Sequence, residues 1–137
     1  MNIFFDVDYT IIGYMGDLRP FVREVFEQLK ADGHTIYLWS GVGIRNEVVK
    51  QYQLQELISG CYMKPTWDYH NALTRLGIPV MPQFVVDDHL GVVNAFGGVC
   101  VRRYDGGPFD RDDREMQRVY QVVTEHVAAN GASGKGG

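Results

Sequence analysis

The sequence predicts an α/β domain in which a mostly parallel, five-stranded sheet lies between helices on both faces. Short apolar runs alternate with amphipathic helical segments along the chain, and glycine or proline separates most of them. The chain has 137 residues, of which 45% are hydrophobic, and this suits one domain with one core. We therefore expect a single domain over residues 1–129. The glycine-rich residues 130–137 are expected to be a disordered tail.

The predicted strands are short apolar runs bounded by turn-forming residues. Polar residues follow four of the five runs directly, so the ends of the strands are the most informative positions in the chain. The runs cover residues 2–6, 35–39, 60–63, 83–86 and 99–102.

Helices are predicted between these strands. Pro20 suits the first position of a helix in which Phe21, Val25 and Leu29 recur at helical spacing, and Gly33 ends it. No segment between the polar clusters is long enough to hold an inserted lid domain. The other predicted helices follow the glycine loop 41–43, with a second short piece over 54–58, and then run over 65–77, over 91–96 and from Asp110 to the tail.

The charge and hydropathy of the chain disfavour several kinds of partner. The net charge is −4 with a pI of about 5.5, which gives no broad attraction for nucleic acid or anionic membranes. No apolar run has the length of a membrane span. The first predicted strand begins at residue 2, so we expect no cleavable leader in this sequence. Cys61 and Cys100 lie in separate apolar runs and are expected to be reduced. We expect a cytoplasmic protein. The sequence leaves its oligomeric state open.

Four carboxylates follow two of the predicted strands. Asp6 and Asp8 come after the first strand, and Asp87 and Asp88 come after the fourth. The carboxyl ends of the strands form the working edge of an open α/β sheet, so we expect these acids to meet. Clustered carboxylates repel one another, and a divalent cation with a preference for oxygen ligands, such as Mg²⁺, removes the conflict. Asp6 and Asp87 are the expected direct ligands, with Asp88 close by through water or a hydrogen bond.

The second and third strands end in groups that suit a phosphate. Ser40 can donate a hydrogen bond to a phosphoryl oxygen, Lys64 supplies a positive charge, and Gly41 adjoins the serine. Asp6, fixed at a strand end, could attack phosphorus as a nucleophile. Asp8, two residues further, could protonate the leaving oxygen and later activate water. Positioning and charge stabilisation are the main requirements of phosphoryl transfer.

These residues carry a resemblance to a known family. The run Asp6-Val7-Asp8-Tyr9-Thr10 matches the motif DxDx[TV] of the haloacid dehalogenase (HAD) superfamily phosphatases. Ser40, Lys64 and the pair Asp87-Asp88 match its other three motifs, in order, over residues 2–104. The resemblance implies a three-layer Rossmann-like fold and hydrolysis of a phosphorylated small molecule or macromolecule.

The resemblance also assigns roles to individual residues. It implies that Asp6 is the nucleophile, that Asp8 is the general acid and base, and that the backbone carbonyl of Asp8 binds Mg²⁺. The absence of an inserted lid resembles the capless members. Residues 18–22 and 38–40 resemble the magnesium-dependent phosphatase branch. Tyr9 stands where many relatives have glycine.

Two other functions stay open at this point. Signalling receiver domains also combine acids, a hydroxyl, a Lys-Pro pair and Mg²⁺, but their Lys-Pro comes last, whereas Lys64-Pro65 here precedes Asp87-Asp88. A catalytically silent relative would bind phosphate and Mg²⁺ without turnover.

Overall fold

The computed structural model describes residues 1–135, with side chains up to residue 131. It contains a five-stranded sheet in which every neighbouring pair is parallel, and this confirms the predicted α/β class. The spatial order of the strands is β3-β2-β1-β4-β5. In chain order the strands are β1 (Asn2–Asp6), β2 (Thr35–Ser40), β3 (Gly60–Met63), β4 (Phe84–Asp87) and β5 (Gly98–Cys100).

Helices cover both faces of the sheet, giving a Rossmann-like three-layer core. Side chains alternate along each strand. Ile3 and Phe5 therefore join the cluster that packs against α1, α2 and α5, whereas Phe4 packs with Leu73 of α3 and Val92 of α4. The helices are α1 (Val22–Ala31), α2 (Asn46–Gln51), α3 (Tyr69–Arg75), α4 (Leu90–Phe96) and α5 (Glu115–Lys135).

The sheet has a topological switch point beside β1. The chain runs from β1 outward to β2 and β3, and then crosses to the other side of β1 for β4 and β5. In open α/β sheets, ligands bind in the crevice outside the carboxyl ends of the strands at such a point. The two longest connections between described elements, residues 7–21 and 101–114, both leave the sheet at this edge.

Several element boundaries differ from the predictions. The predictions that α3 starts at Pro65 and α5 at Asp110 are wrong, because α3 begins at Tyr69 and α5 at Glu115. The Asp110 carboxylate accepts backbone hydrogen bonds from residues 105 and 106, which holds this segment as turns. Residues 55–57 form a turn instead of the predicted second helical piece over 54–58.

Strand β5 is shifted and shorter than predicted. It ends at Cys100, because the backbone N–H of Arg102 is bonded to the Glu115 carboxylate (2.9 Å) rather than to a strand. Gly98, with φ +148°, opens it, and a Cβ atom at this position would lie 1.9 Å from the carbonyl oxygen of Val85. Only glycine therefore allows β5 to approach β4 so closely.

Helix α5 extends to Lys135, into the segment for which the glycine content predicts disorder. Met116, Val119 and Val123 are fully buried against the sheet. Once this part of the helix is docked, each further turn costs less than nucleation. Residues 136–137 of the predicted tail lie outside the described part of the chain.

Candidate active site

Asp6 and Asp87 are the last residues of two neighbouring strands, β1 and β4. Phe5 pairs with Val86, so the residues that follow, Asp6 and Asp87, lie side by side. Both side chains are almost completely buried, at 4% and 0% exposure. One carboxylate oxygen from each of Asp6, Asp87 and Asp88 lies within 4.8 Å of the others. Three of the four acids predicted to meet, all but Asp8, are therefore close enough to share one ligand.

Lys64 joins the two buried carboxylates. Its Nζ lies 3.1 Å from Asp6 Oδ1 and 3.0 Å from Asp87 Oδ2. The backbone N–H of Lys64 continues the β2–β3 ladder by donating to the carbonyl of Ser40 (2.9 Å), which sets where its side chain leaves the sheet. The ammonium group therefore lies between the two carboxylates predicted as metal ligands.

Thr10 is a site residue that the sequence reasoning did not single out. Its hydroxyl lies 3.1 Å from Asp6 Oδ2 and 3.2 Å from Asp88 Oδ1, and it accepts the backbone N–H of Asp88 (3.2 Å). Its place as the last residue of the DxDx[TV] run was the available signal. Thr10 thus ties the loop after β1 to the loop after β4.

The electrostatics of this group favour a cation. Burial, with the neighbouring Asp87 carboxylate, raises the pKa of Asp6 to about 8, although Lys64 opposes the shift. Burial also raises the pKa of Asp87. Burial lowers the pKa of Lys64, but the two carboxylates outweigh it and leave that pKa raised. The ammonium group of Lys64 thus offsets only part of the cost of ionising Asp6 and Asp87. Additional positive charge nearby would stabilise both carboxylates further.

The residues present fit a magnesium ion. Asp6, Asp87 and Asp88 offer three carboxylate oxygens within reach of one another, and Mg²⁺ prefers such hard oxygen donors. The Asp8 carboxylate lies outside this group of three. This arrangement is compatible with the expectation that Asp8 contributes its backbone carbonyl rather than its side chain.

The Asp8 side chain contacts the neighbouring strand end. Its Oδ2 lies 2.5 Å from Arg45 Nη1 and 3.4 Å from the hydroxyl of Ser40. The Ser40 hydroxyl also accepts the backbone N–H of Val42 (3.2 Å), which orients it at the end of β2. Arg45 bonds Glu47 on its other side, through Nε (2.5 Å). The sequence assigned Arg45 no partner, because an arginine in a loop carries no pattern that names one.

One open cavity of about 320 Å³ contains all of the predicted catalytic and phosphate-binding residues. Asp6, Lys64 and Gly41 all line it. The rest of the lining is mixed, and His89 reaches it with a side chain that is 76% exposed. The lining residues are Asp6, Asp8, Tyr9, Ser40, Gly41, Val42, Lys64, Thr66 and His89.

A buried ion pair between Arg19 and Asp113 holds one of the loops of the site. Arg19 is 1% exposed and binds Asp113 with both Nε (2.7 Å) and Nη2 (2.8 Å). Its Nη1 donates to the carbonyl of Thr10 (3.0 Å), and Arg102 adds a second guanidinium to Asp113 (2.8 Å). Burial opposes ionisation of Asp113, but the hydrogen bonds from the two arginines prevail and lower its pKa. Arg19 therefore holds the loop that carries Thr10.

No protein-family model matches this chain, and no curated protein shows significant similarity to it. Its class is thus defined by the fold and the site, namely a Rossmann-like α/β protein with an acidic cluster at the switch point of its sheet. Within residues 1–135, no helix has both the length and the apolar character needed to cross a lipid bilayer.

Proposed function

We propose that this protein is a Mg²⁺-dependent phosphatase that hydrolyses phosphomonoesters through an aspartyl-phosphate on Asp6. One observation carries the proposal. Lys64 bridges Asp6 and Asp87 within a group of three carboxylates, and Lys64 and Asp6 line a cavity that Asp8 and Ser40 also line. A nucleophile, an acid–base group, a hydroxyl donor and positive charge thus surround one space of the size a phosphate ester needs.

Phosphate binding follows from the donors around the cavity. The Ser40 hydroxyl and the Lys64 ammonium can each donate a hydrogen bond to a phosphoryl oxygen, and the backbone at Gly41 lines the same wall. A magnesium ion held by Asp6, Asp87 and Asp88 would supply the positive charge that these carboxylates and the phosphate together require. Lys64 keeps Asp6 oriented while that charge is shared.

The reaction has two steps. A carboxylate oxygen of Asp6 attacks phosphorus, the bond from phosphorus to the leaving oxygen breaks, and Asp8 gives that oxygen its proton. Asp8 then takes a proton from water, whose oxygen attacks phosphorus. The bond from phosphorus to the Asp6 oxygen breaks, which releases inorganic phosphate and restores the Asp6 carboxylate.

Asp8 must change partners before it can act. Its carboxylate is paired with Arg45 in the structure, so proton transfer to the leaving oxygen requires that the substrate take the place of the guanidinium. Arg45 is 19% exposed and lies in the loop between β2 and α2. Movement of its side chain breaks the bond to Glu47 of α2 but no backbone hydrogen bond of a helix or strand.

The strand order counts against the receiver alternative. Receiver domains have the order 2-1-3-4-5, whereas here β1 lies between β2 and β4 and the order is β3-β2-β1-β4-β5. A catalytically silent module remains the competitor that the experiment must separate from an enzyme.

The test measures hydrolysis of an aryl phosphate with Mg²⁺ and with EDTA. We expect activity only with the metal, and a loss of about a thousandfold or more in Asp6→Asn. Asp112→Asn is the matched control, because it removes an exposed carboxylate outside the cavity and should leave the rate unchanged.

The covalent intermediate has its own test. In Asp8→Asn the first step can still occur with a good leaving group, but no base activates water. The protein should then accumulate one phosphoryl group, detected by intact-protein mass spectrometry and absent from the double variant Asp6→Asn/Asp8→Asn. Mg²⁺ binding without turnover on a broad phosphate panel would instead identify a silent module.

A further inference from the structure

Tyr9 occupies an unfavourable backbone conformation inside the cavity. Its φ is +63°, in the left-handed region that favours glycine or asparagine. Two backbone hydrogen bonds hold it there: its N–H donates to the carbonyl of Ile12 (2.8 Å), and its carbonyl accepts the N–H of Tyr104 (2.8 Å). A strained bulky residue at a site of this kind points to a role for its side chain.

The ring of Tyr9 is held by a charged partner. The guanidinium of Arg103 lies 3.7 Å from the centre of the ring, and Arg103 Nε is bonded to the Asp105 carboxylate (2.7 Å). Tyr9 belongs to the loop after β1 and Arg103 to the loop after β5. The contact between Arg103, itself paired with Asp105, and the Tyr9 ring therefore joins two loops at a residue that lines the cavity.

The place of Tyr9 in the chain determines what its ring can meet. It follows Asp8, which must lie beside the leaving oxygen in order to protonate it, and it lines the same cavity as Asp6. A group attached to that oxygen therefore lies in the cavity that Tyr9 also lines. We infer that Tyr9, backed by Arg103, is a stacking surface that selects phosphomonoesters with a planar aromatic leaving group. The inference rests on the proposed function.

A neighbouring pocket is the competing location for the leaving group. It has a volume of about 270 Å³ and shares Lys64 with the cavity, and Tyr69 contributes an aromatic ring to it. Neither Asp6 nor Asp8 lines this pocket. A leaving group placed there would lie on the Lys64 side of the phosphate, away from the Asp8 side chain that contacts Arg45 and Ser40.

The test compares phenyl phosphate with glycerol phosphate, both with Mg²⁺. The readout is the ratio of kcat/KM for the two esters, since intrinsic reactivity cancels when this ratio is compared between variants. Tyr9→Asn removes the ring but suits the left-handed backbone, and we expect it to lower the ratio about fivefold. Tyr9→Phe should keep the ratio, and Arg103→Gln should lower it about twofold.

Two control variants identify the wall that matters. Tyr14→Asn makes the same substitution at a tyrosine that is 74% exposed in the same loop and outside the cavity, and it should leave the ratio unchanged. Tyr69→Ala tests the neighbouring pocket. The same comparison between a phosphotyrosine peptide and a phosphoserine peptide shows whether Tyr9 recognises the aromatic ring of a peptide substrate or only that of a small ester.

The outcomes separate the inference from the proposed function. If the wild-type protein hydrolyses both esters and Tyr9→Asn keeps the ratio, the inference is overturned and the phosphatase stands. A drop in Tyr69→Ala without one in Tyr9→Asn also overturns it, as does an equal drop in Tyr14→Asn. If the wild-type protein hydrolyses neither ester, the proposed function fails and the inference fails with it. Should Tyr9→Asn not fold, Arg103→Gln alone decides.

Discussion

The protein buries carboxylates in two places and treats them in opposite ways. Asp113 is bound by both Arg19 and Arg102, and these bonds lower its pKa. Asp6 and Asp87 share a single ammonium group, and burial raises the pKa of both. Buried charge is fully paired where it joins segments of the fold. At the switch point of the sheet it is left short of positive charge, as expected of a site completed by a ligand.

The two places are physically connected. Arg19 donates to the carbonyl of Thr10, and the hydroxyl of Thr10 contacts Asp6 and Asp88. We call Arg19 and Asp113 the balanced pair, and Asp6, Asp87 and Lys64 the unbalanced group. The balanced pair therefore fixes the loop that carries Thr10, and Thr10 in turn contacts the unbalanced group.

Breaking the balanced pair should destabilise the fold most. Arg19→Met leaves Asp113 buried with one partner fewer, and we expect the free energy of unfolding to fall by about 3–5 kcal/mol in urea denaturation. The matched control is Arg75→Met, which removes an arginine from an exposed pair with Asp68 and should cost less than about 1 kcal/mol. The double variant Arg19→Met/Asp113→Leu should recover much of the loss. Equal effects of the two single variants would contradict the contrast.

Magnesium should stabilise the protein through the unbalanced group. At a concentration about 100 times its Kd, a ligand that binds only the folded state adds about 2.7 kcal/mol. We expect Mg²⁺ to raise the midpoint of thermal unfolding in the wild-type protein and to have no such effect in Asp87→Asn. A magnesium response that Asp87→Asn retains would place the ion elsewhere.

Removing charge from the unbalanced group should stabilise the metal-free protein. The pKa of Asp6 is about 8 in the folded state against 3.8 in its ordinary state, so the folded protein holds a proton that the unfolded chain releases. The contribution of Asp6 to the free energy of unfolding in EDTA is therefore largest below pH 4. This contribution is lost as the pH rises through about 8. Asp6→Asn should flatten this decline and should have a larger free energy of unfolding than the wild-type protein above about pH 8. A steeper decline would reverse the assignment.

The balanced pair should produce the opposite and smallest pH effect. Because the folded state lowers the pKa of Asp113 below 3.8, its contribution is present above that pH and is lost as the pH falls through the lowered value. Acid unfolding should therefore show a component that disappears in Arg19→Met/Asp113→Leu. The measurement is the free energy of unfolding between about pH 2 and 4. An unchanged acid response in the double variant would assign that component to other carboxylates.

The sequence was sufficient for the residues at the ends of strands. Each of four site residues follows an apolar run: Asp6, Ser40, Lys64 and Asp87. Parallel strands place their carboxyl ends at one edge of the sheet. The pattern that predicts the sheet therefore also predicts that these side chains lie close together. Gly41 lines the same cavity. The strands themselves were predictable because each contains a short continuous apolar run.

The residues held in loops could not be predicted in this way. Arg19 finds Asp113 across 94 positions of the chain, and Arg45 finds Asp8 across 37. Such pairs depend on the conformation of turns, which leaves no periodic signal in the sequence. The late start of α5 has a similar cause, because the side chain of Asp110 bonds the backbone before it instead of beginning the helix.

The close approach at Gly98 connects the β4–β5 border of the sheet to the position of Arg103 beside Tyr9. A methyl group at this position would strike the Val85 carbonyl and force β5 away from β4. Arg103 lies shortly after β5 in the chain, so its guanidinium would be drawn off the ring of Tyr9. If the protein is the phosphatase proposed above, substitution of this remote glycine should therefore alter its discrimination between esters.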